Sequence, residues 1–225
     1  MATYSEPTPT RRGRPARFSR DAIVEEAIDA IREGGVESLA MRSLAERLGT
    51  TPATLYRHID GQDELIAEAV DRIVSQVEVP AIPADDNEIE EWLIEAAGAY
   101  RSVMLRYPGT ADHLLLRGPT GEHGLRKMGQ MCSVLARIGM TTSEVAWAYD
   151  WLMTTVSTYT AKEDRLHRVG GGGNVAARLQ ERVASIDDGE LSEVLAQFTG
   201  DMEASFDRTT RLVVEMLVAG RAPSD

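Results

Sequence analysis

The chain has 225 residues and a formal net charge of −12, and its 43% apolar content is that of an ordinary globular protein rather than a disordered one. It is long enough to bury one or two cores. No apolar run approaches the ~20 residues that a membrane span requires, and the opening MATYSEPTPTRRGRP lacks the apolar stretch of a secretory signal. A single cysteine, Cys132, excludes an intramolecular disulfide framework and fits a reducing cytoplasm.

The charge is unevenly spread. Residues 1–60 hold nine arginines and nine acidic residues, so the other 15 basic and 27 acidic residues carry the whole −12. Arg11, Arg12, Arg14, Arg17 and Arg20 fall within ten residues that contain no acid. Residues 1–17, with Pro7, Pro9, Gly13 and Pro15, read as an extended Arg-rich arm. A local basic arm can lie against phosphates while an acidic body stays away from them.

Residues 20–33 come next, with Ile23, Val24, Ala27, Ile28 and Ile31 on one helical face. Ser19 is the expected N-cap, and Gly34 with Gly35 the stop. Residues 38–59, SLAMRSLAERLGTTPATLYRHI, hold the centre of the chain. Leu39, Leu44, Ala45 and Leu48 recur at helical spacing, Gly49 suits a positive φ, and Thr51-Pro52 opens a second, very short helix. Leu55 and Ile59 lie one turn apart, so one side of that helix is expected to be buried. Thr51, Ala53, Thr54, Arg57 and His58 are left for the other side. Two short helices, a tight turn and a polar outer face describe a helix-turn-helix whose second helix fits a major groove, although an ordinary helical corner gives similar spacing.

Asp60-Gly61 breaks the chain, and residues 62–77 read as a fourth helix with Leu65, Ile66, Ala69, Val70 and Ile73 inward. Val79-Pro80-Ala81-Ile82-Pro83-Ala84 is the expected linker. The helices after it span residues 88–106, 122–138, 143–162 and 201–219, with a short apolar element at 114–116 and a glycine linker at 170–173. Leu125, Met128, Met131, Cys132, Leu135 and Ile138 form the inward pattern of the second of these. No β-alternation competes, so the fold class is all-α: a three-helix unit with a helix-turn-helix, then a larger helical domain. The expected boundaries are 18–78 and 79–225.

The segment MRSLAERLGTTPATLYRHI resembles the DNA-binding motif of TetR-family regulators, whose usual ending is a Leu-Tyr, a polar residue, His and an apolar residue. That ending is here Leu55, Tyr56, Arg57, His58 and Ile59, and the likeness runs from about residue 19 to 77. The run from Arg106 through Tyr159 is similar to the ligand-binding domain of the tetracycline repressor branch, and SFDRTTRLVVEMLVAG to its terminal dimerisation helix. The resemblance implies a double-stranded DNA operator, a homodimer and a small-molecule effector as partners. The implied DNA contacts are Arg42, Thr51, Pro52, Ala53, Thr54, Tyr56, Arg57, His58 and Gln62, with Arg12 and Arg14 from the arm. Gln62 departs from the family, which often has a phosphate-contacting lysine there.

The positions that align with the metal-linked groups of a tetracycline pocket hold Val74, Ala96 and Leu114, with His113 one residue away. A mostly apolar, aromatic effector bound without magnesium or another cofactor is therefore expected. Its expected contacts are Tyr100, Met104, His113, Leu114, Met128, Met131, Trp147, Trp151 and Thr155. Asp150 is the only ionised group between Glu144 and Lys162, and is expected to be exposed, paired, or set against a cationic ligand group. The expected dimer interface draws Leu152, Val156 and Tyr159 from one helix and Phe206, Val213 and Leu217 from the last, because each helix is apolar over more than one neighbour needs.

No Gly-x-x-x-x-Gly-Lys-Ser/Thr, His-Glu-x-x-His or Gly-x-Ser-x-Gly signature occurs, and His113 with His123 lack a third metal ligand, so neither enzyme chemistry nor a metal site is expected. The leading expectation is a ligand-responsive repressor. The alternatives are an activator or ligand-independent regulator of the same fold, or a helical small-molecule-binding protein or enzyme with a vestigial motif. Removal of residues 1–17 should flatten the slope of log affinity for DNA against log salt by up to about four, one for each phosphate that an arginine of the arm neutralises. A salt titration of the truncated and full chains checks this.

Overall fold

The computed structural model describes residues 19–169, 181–183, 190, 193 and 201–219; Arg12, Arg14, the rest of the arm and the glycines at 170–173 lie outside them. Among the described residues every regular element is helical. These are α1 (Arg20–Gly34), α2 (Met41–Arg47), α3 (Pro52–Leu55), α4 (Gln62–Ser75), α5 (Ile89–Leu105), α6 (Thr110–Arg117), α7 (Glu122–Arg137), α8 (Thr142–Arg168) and α9 (Met202–Ala219).

Helix α1 starts where Ser19 Oγ accepts from the amide of Ala22 at 3.1 Å, and its predicted inward face is fully buried. The corner between α2 and α3 is a Schellman turn: the Gly49 amide donates to Glu46 O at 3.0 Å and the Thr50 amide to Ala45 O at 2.8 Å. It places Gly49 at φ 64°, which a side chain would resist. Thr51 occupies the N-cap of α3, but its hydroxyl meets the Thr54 hydroxyl at 3.2 Å instead of an amide. Leu55 and Ile59 are buried as their spacing predicts.

The predicted linker at residues 79–84 has no regular structure, yet it is held firmly. Trp92 Nε1 donates to Pro80 O at 3.0 Å, and the Arg137 guanidinium reaches Pro83 O at 2.8 Å and Ala84 O at 3.2 Å. Helix α8 begins in a capping box between Thr141 and Glu144. It runs six residues past the predicted end, because Glu163 and Asp164 are buried with partners. Arg101 pairs with Glu163 at 2.8 and 2.9 Å, while Asp164 accepts from the Gly109 amide at 3.0 Å and from Arg168 at 2.9 Å.

Two expectations are corrected. Leu125, predicted inward, is 51% exposed, because Gly124 takes the inward position, where an added Cβ would come within 2.8 Å of Pro119 Cβ. Leu152, Val156, Phe206, Val213 and Leu217, predicted at a dimer seam, are at most 5% exposed and already packed inside this chain. Helices α8 and α9 pack on each other and on α5, and their shared faces use up those side chains. The apolar surface that remains is the next stripe round each helix: Trp147 on α8, and Leu212 and Met216 on α9, each more than half exposed. Tyr159, half-buried, joins the edges of the two helices by accepting from the Thr209 hydroxyl at 2.9 Å.

Candidate nucleic-acid interface and ligand cavity

The second helix of the motif turns Thr51, Ala53, Tyr56, Arg57 and His58 outward, with Pro52 and Thr54 half-buried beside them and Gln62 exposed at the start of α4. Tyr56 is 54% exposed, a large ring left uncovered on a small face. Arg42, at the start of α2, has 86% of its side chain exposed and only a 3.4 Å contact to Glu46.

The other described arginines of this region are engaged within the fold. Arg20 pairs with Glu64 and Glu68 at 2.6 and 2.7 Å and donates to His58 O at 2.9 Å, so it does not join the basic arm its sequence position suggests. Arg47 spans Glu26 and Glu33, and Arg72 spans Asp21, Glu25 and Glu68. Arg42 and Arg57 therefore remain as the cations of the motif's outer face. Arg20 also secures the motif's exit: the carboxylate that it grips, Glu64, accepts from the Asp60 amide, and both contacts hold that carboxyl below its usual range.

A cavity of about 220 Å³ lies in the second bundle. Its apolar wall comes from Val74 of α4, Leu114 and Leu115 of α6, Pro119, and Met153 of α8. Tyr100 of α5 and Tyr149, Asp150, Thr154 and Ser157 of α8 supply the polar atoms, and Gly118 and Gly124 complete the rim. Burial pushes the Tyr149 phenol up to about 12 and the Tyr100 phenol higher still, so both are neutral donors or acceptors at physiological pH.

Of the expected contacts, the structure brings Tyr100 and Leu114 to this wall, together with Val74 from the tetracycline-pocket alignment. Met104 and Met131 are buried away from it, and Met128, Trp151 and Thr155 are half-buried elsewhere. Trp147 and Trp151 lie one turn apart on α8 with ring centroids 5.0 Å apart and planes tilted by 37°, and Trp147 is 59% exposed. His113 faces neighbouring crevices toward α4, where burial foremost, and then Arg117, hold its imidazole below the usual range. Among the described residues no three His, Cys, Asp or Glu side chains gather so as to hold a metal ion. Tyr149, Met153 and Ser157 were not expected. They recur every four residues along α8, a stripe legible in the sequence but masked by the more conspicuous tryptophans next to it.

One side chain connects cavity and motif. Asp71 of α4 accepts from the amides of His123 and Gly124 at 3.2 and 2.8 Å, capping the first turn of α7 from another helix. Gly121 makes the approach possible, since a Cβ there would fall 2.1 Å from Asp71 Cγ. Nearby, Lys127 Nζ donates to Val77 O at 2.5 Å, and the Tyr107 hydroxyl links Gln76 with Arg32 of α1 at 2.8 Å each.

An all-helical chain that presents a helix-turn-helix beside a cavity-bearing helical body defines a class, the helix-turn-helix transcription regulators. Comparison with known proteins makes the assignment narrower. Residues 23–69 match the bacterial regulatory proteins of the tetR family and residues 82–219 the tetracyclin repressor-like C-terminal domain, and the chain belongs to the TetR family. It is 26% identical over 224 residues to an HTH-type transcriptional regulator of Saccharopolyspora erythraea, covering 98% of this chain and 91% of that one. It is 29% identical over 182 residues to the class A tetracycline repressor protein from transposon 1721 of Escherichia coli, covering 80% of this chain and 75% of that one. Among solved structures, ActR of Streptomyces coelicolor in complex with actinorhodin superposes with a TM-score of 0.81 at 26% identity, over 91% of this chain and 99% of that one.

Arg42→Ala should relax the preference at one symmetric base pair of a bound site by about 1–3 kcal/mol, the worth of a bidentate arginine–guanine contact. Competition binding with duplexes altered one base pair at a time reads this. Equal weakening on every duplex would place Arg42 on phosphate instead.

Proposed function

We propose that the chain is a cytoplasmic, ligand-responsive repressor that binds a palindromic operator as a homodimer and releases it when a small, mostly apolar molecule fills the cavity. In this reading residues 18–78 read DNA, through the outward side chains from Thr51 to His58 with Arg42 and Gln62. Residues 79–225 bind the effector and dimerise. The observation that carries the proposal is that α4 serves both surfaces: its first turn anchors the exit of the motif through Glu64, and Val74 and Asp71 meet the cavity wall and the α7 cap.

A molecule lodged against Pro119 and Gly124 presses on the turn that Asp71 holds. Displacement of that turn shifts α4, and with it the recognition helix. Release follows only if the ligand binds the shifted state more tightly than the operator-competent one. Two motifs about 34 Å apart on successive major grooves are needed for a tight and specific complex, because one motif buries too little surface. The exposed Trp147, Leu212 and Met216 supply an apolar surface for a second copy.

Two substitutions on α9 separate dimerisation from folding. Met216→Asp sets a charge on the exposed stripe, and should split the dimer and weaken operator binding while leaving the protomer folded. Val213→Asp buries an unpaired carboxylate inside the chain, and should destabilise the protomer by about 3–5 kcal/mol. Sedimentation velocity, urea unfolding and affinity for DNA selected from genomic fragments read the three effects. A wild-type protein that is monomeric at micromolar concentration and still selects a palindromic site tightly would overturn the dimeric reading.

A further inference from the structure

The wall of the cavity is electrically one-sided. Asp150 is the only lining residue that carries a charge at neutral pH, and no Arg, Lys or His joins it. Asp150 is exposed, at the mouth, and among the described residues no cation comes within ion-pairing distance of its carboxylate. Deeper in, the polar atoms are again unpartnered. Tyr100 and Ser157 are 5% and 2% exposed, and no described group hydrogen-bonds either hydroxyl. Both side chains line the apolar cavity, where an occupant can hydrogen-bond their hydroxyls. Tyr100, Tyr149 and Met153 complete the lining. Aromatic faces beside an unpaired carboxylate attract a cation, by ring quadrupole and by Coulomb force together. An anionic ligand would meet the repulsion of Asp150 with no cation in the lining to offset it.

We propose that the cavity takes a small aromatic cation, its ring among Tyr100, Tyr149 and Met153, its ammonium at Asp150 and its polar edge at Ser157. The proposal rests on the cavity being the effector site, and it adds the ligand's charge to that reading. Asp150 is the residue that selects for the charge. The volume, just below the range of drug-sized sites, suits a ligand of one or two rings.

Three probes of one shape and different charge test it on the full chain by calorimetry at neutral pH: 2-naphthylmethylammonium, 2-naphthylmethanol and 2-naphthoate. The ammonium should bind about five- to tenfold more tightly than the alcohol, the sum of a partly exposed ion pair and cation–ring contact. The carboxylate should bind more weakly than either. Asp150→Asn should bring the ammonium down to the alcohol while the alcohol's own affinity holds, and Met153→Trp, which fills the cavity, should remove both. The inference is overturned if naphthoate binds as tightly as the ammonium, if Asp150→Asn leaves the preference intact, if Met153→Trp leaves binding intact, or if no probe binds. Operator affinity measured beside it keeps the two readings apart. Asp150-dependent binding with no effect on DNA would contradict the regulatory reading and leave the cation site standing.

Discussion

The Asp71 carboxylate holds the two halves of the molecule in register. It lies on α4, the helix that leaves the DNA-binding motif, and it caps a helix of the other bundle by accepting two of that helix's free amides. A carboxylate at a helix N-terminus satisfies donors that have no intrahelical partner, and it opposes the positive end of the helix dipole. The contact demands a bare backbone at Gly121 and places the turn at 118–121 beside both the cavity rim and α4. Other inter-bundle contacts accompany it, among them Lys127 to Val77, Tyr107 to Gln76 and Arg32, and the Val36 amide to Pro108 O at 2.9 Å. Among these contacts Asp71 is the one that bridges a helix end to the cavity rim.

Electrostatics divides the labour in the same way. Arg20, Arg47 and Arg72 clamp α1, α2 and α4 together, so Asp21, Glu25, Glu26, Glu33, Glu64 and Glu68 are paired inside that bundle. These pairs are partly exposed, and each contributes little to stability by itself. What they do is fix the exit of the recognition helix, since Arg20 reaches His58 O and the carboxylate that receives the Asp60 amide. On the motif's outer face the cations are Arg42, held only by a 3.4 Å contact to Glu46, and Arg57, which donates to the Thr54 hydroxyl at 3.4 Å.

Much of the fold was legible because local rules and packing agree. Ser19, Gly35, Gly49, Pro52 and Gly139 punctuate the chain where propensity places them, and the apolar face of every N-terminal helix is the buried one. Periodicity misled where it had to choose between two adjacent apolar stripes. On α9 the stripe of Phe206, Val213 and Leu217 and that of Leu212 and Met216 have similar composition, and only the packing of α5 and α8 decides which faces inward. The cavity was harder to read. Its residues come from α4, α5, α6, α7 and α8, so no single segment marks it, although Asp150 stands out as the one ionised group of its stretch and Ser157 continues the Tyr149–Met153 stripe. The Trp147–Trp151 pair is easy to see in sequence, but neither ring lines the cavity.

A cavity that governs DNA binding through α4 needs a coupling free energy between the two sites, and such couplings commonly amount to about five- to 150-fold in affinity. The direct measurement is the affinity of the operator duplex, by fluorescence anisotropy, with and without a ligand shown by calorimetry to occupy the cavity, in the wild type and in Asp71→Ala. The account predicts that the ligand weakens operator binding several-fold in the wild type and that the factor falls toward one in the variant. An equal factor in both proteins, or a filled cavity with operator affinity unchanged in the wild type, would contradict it.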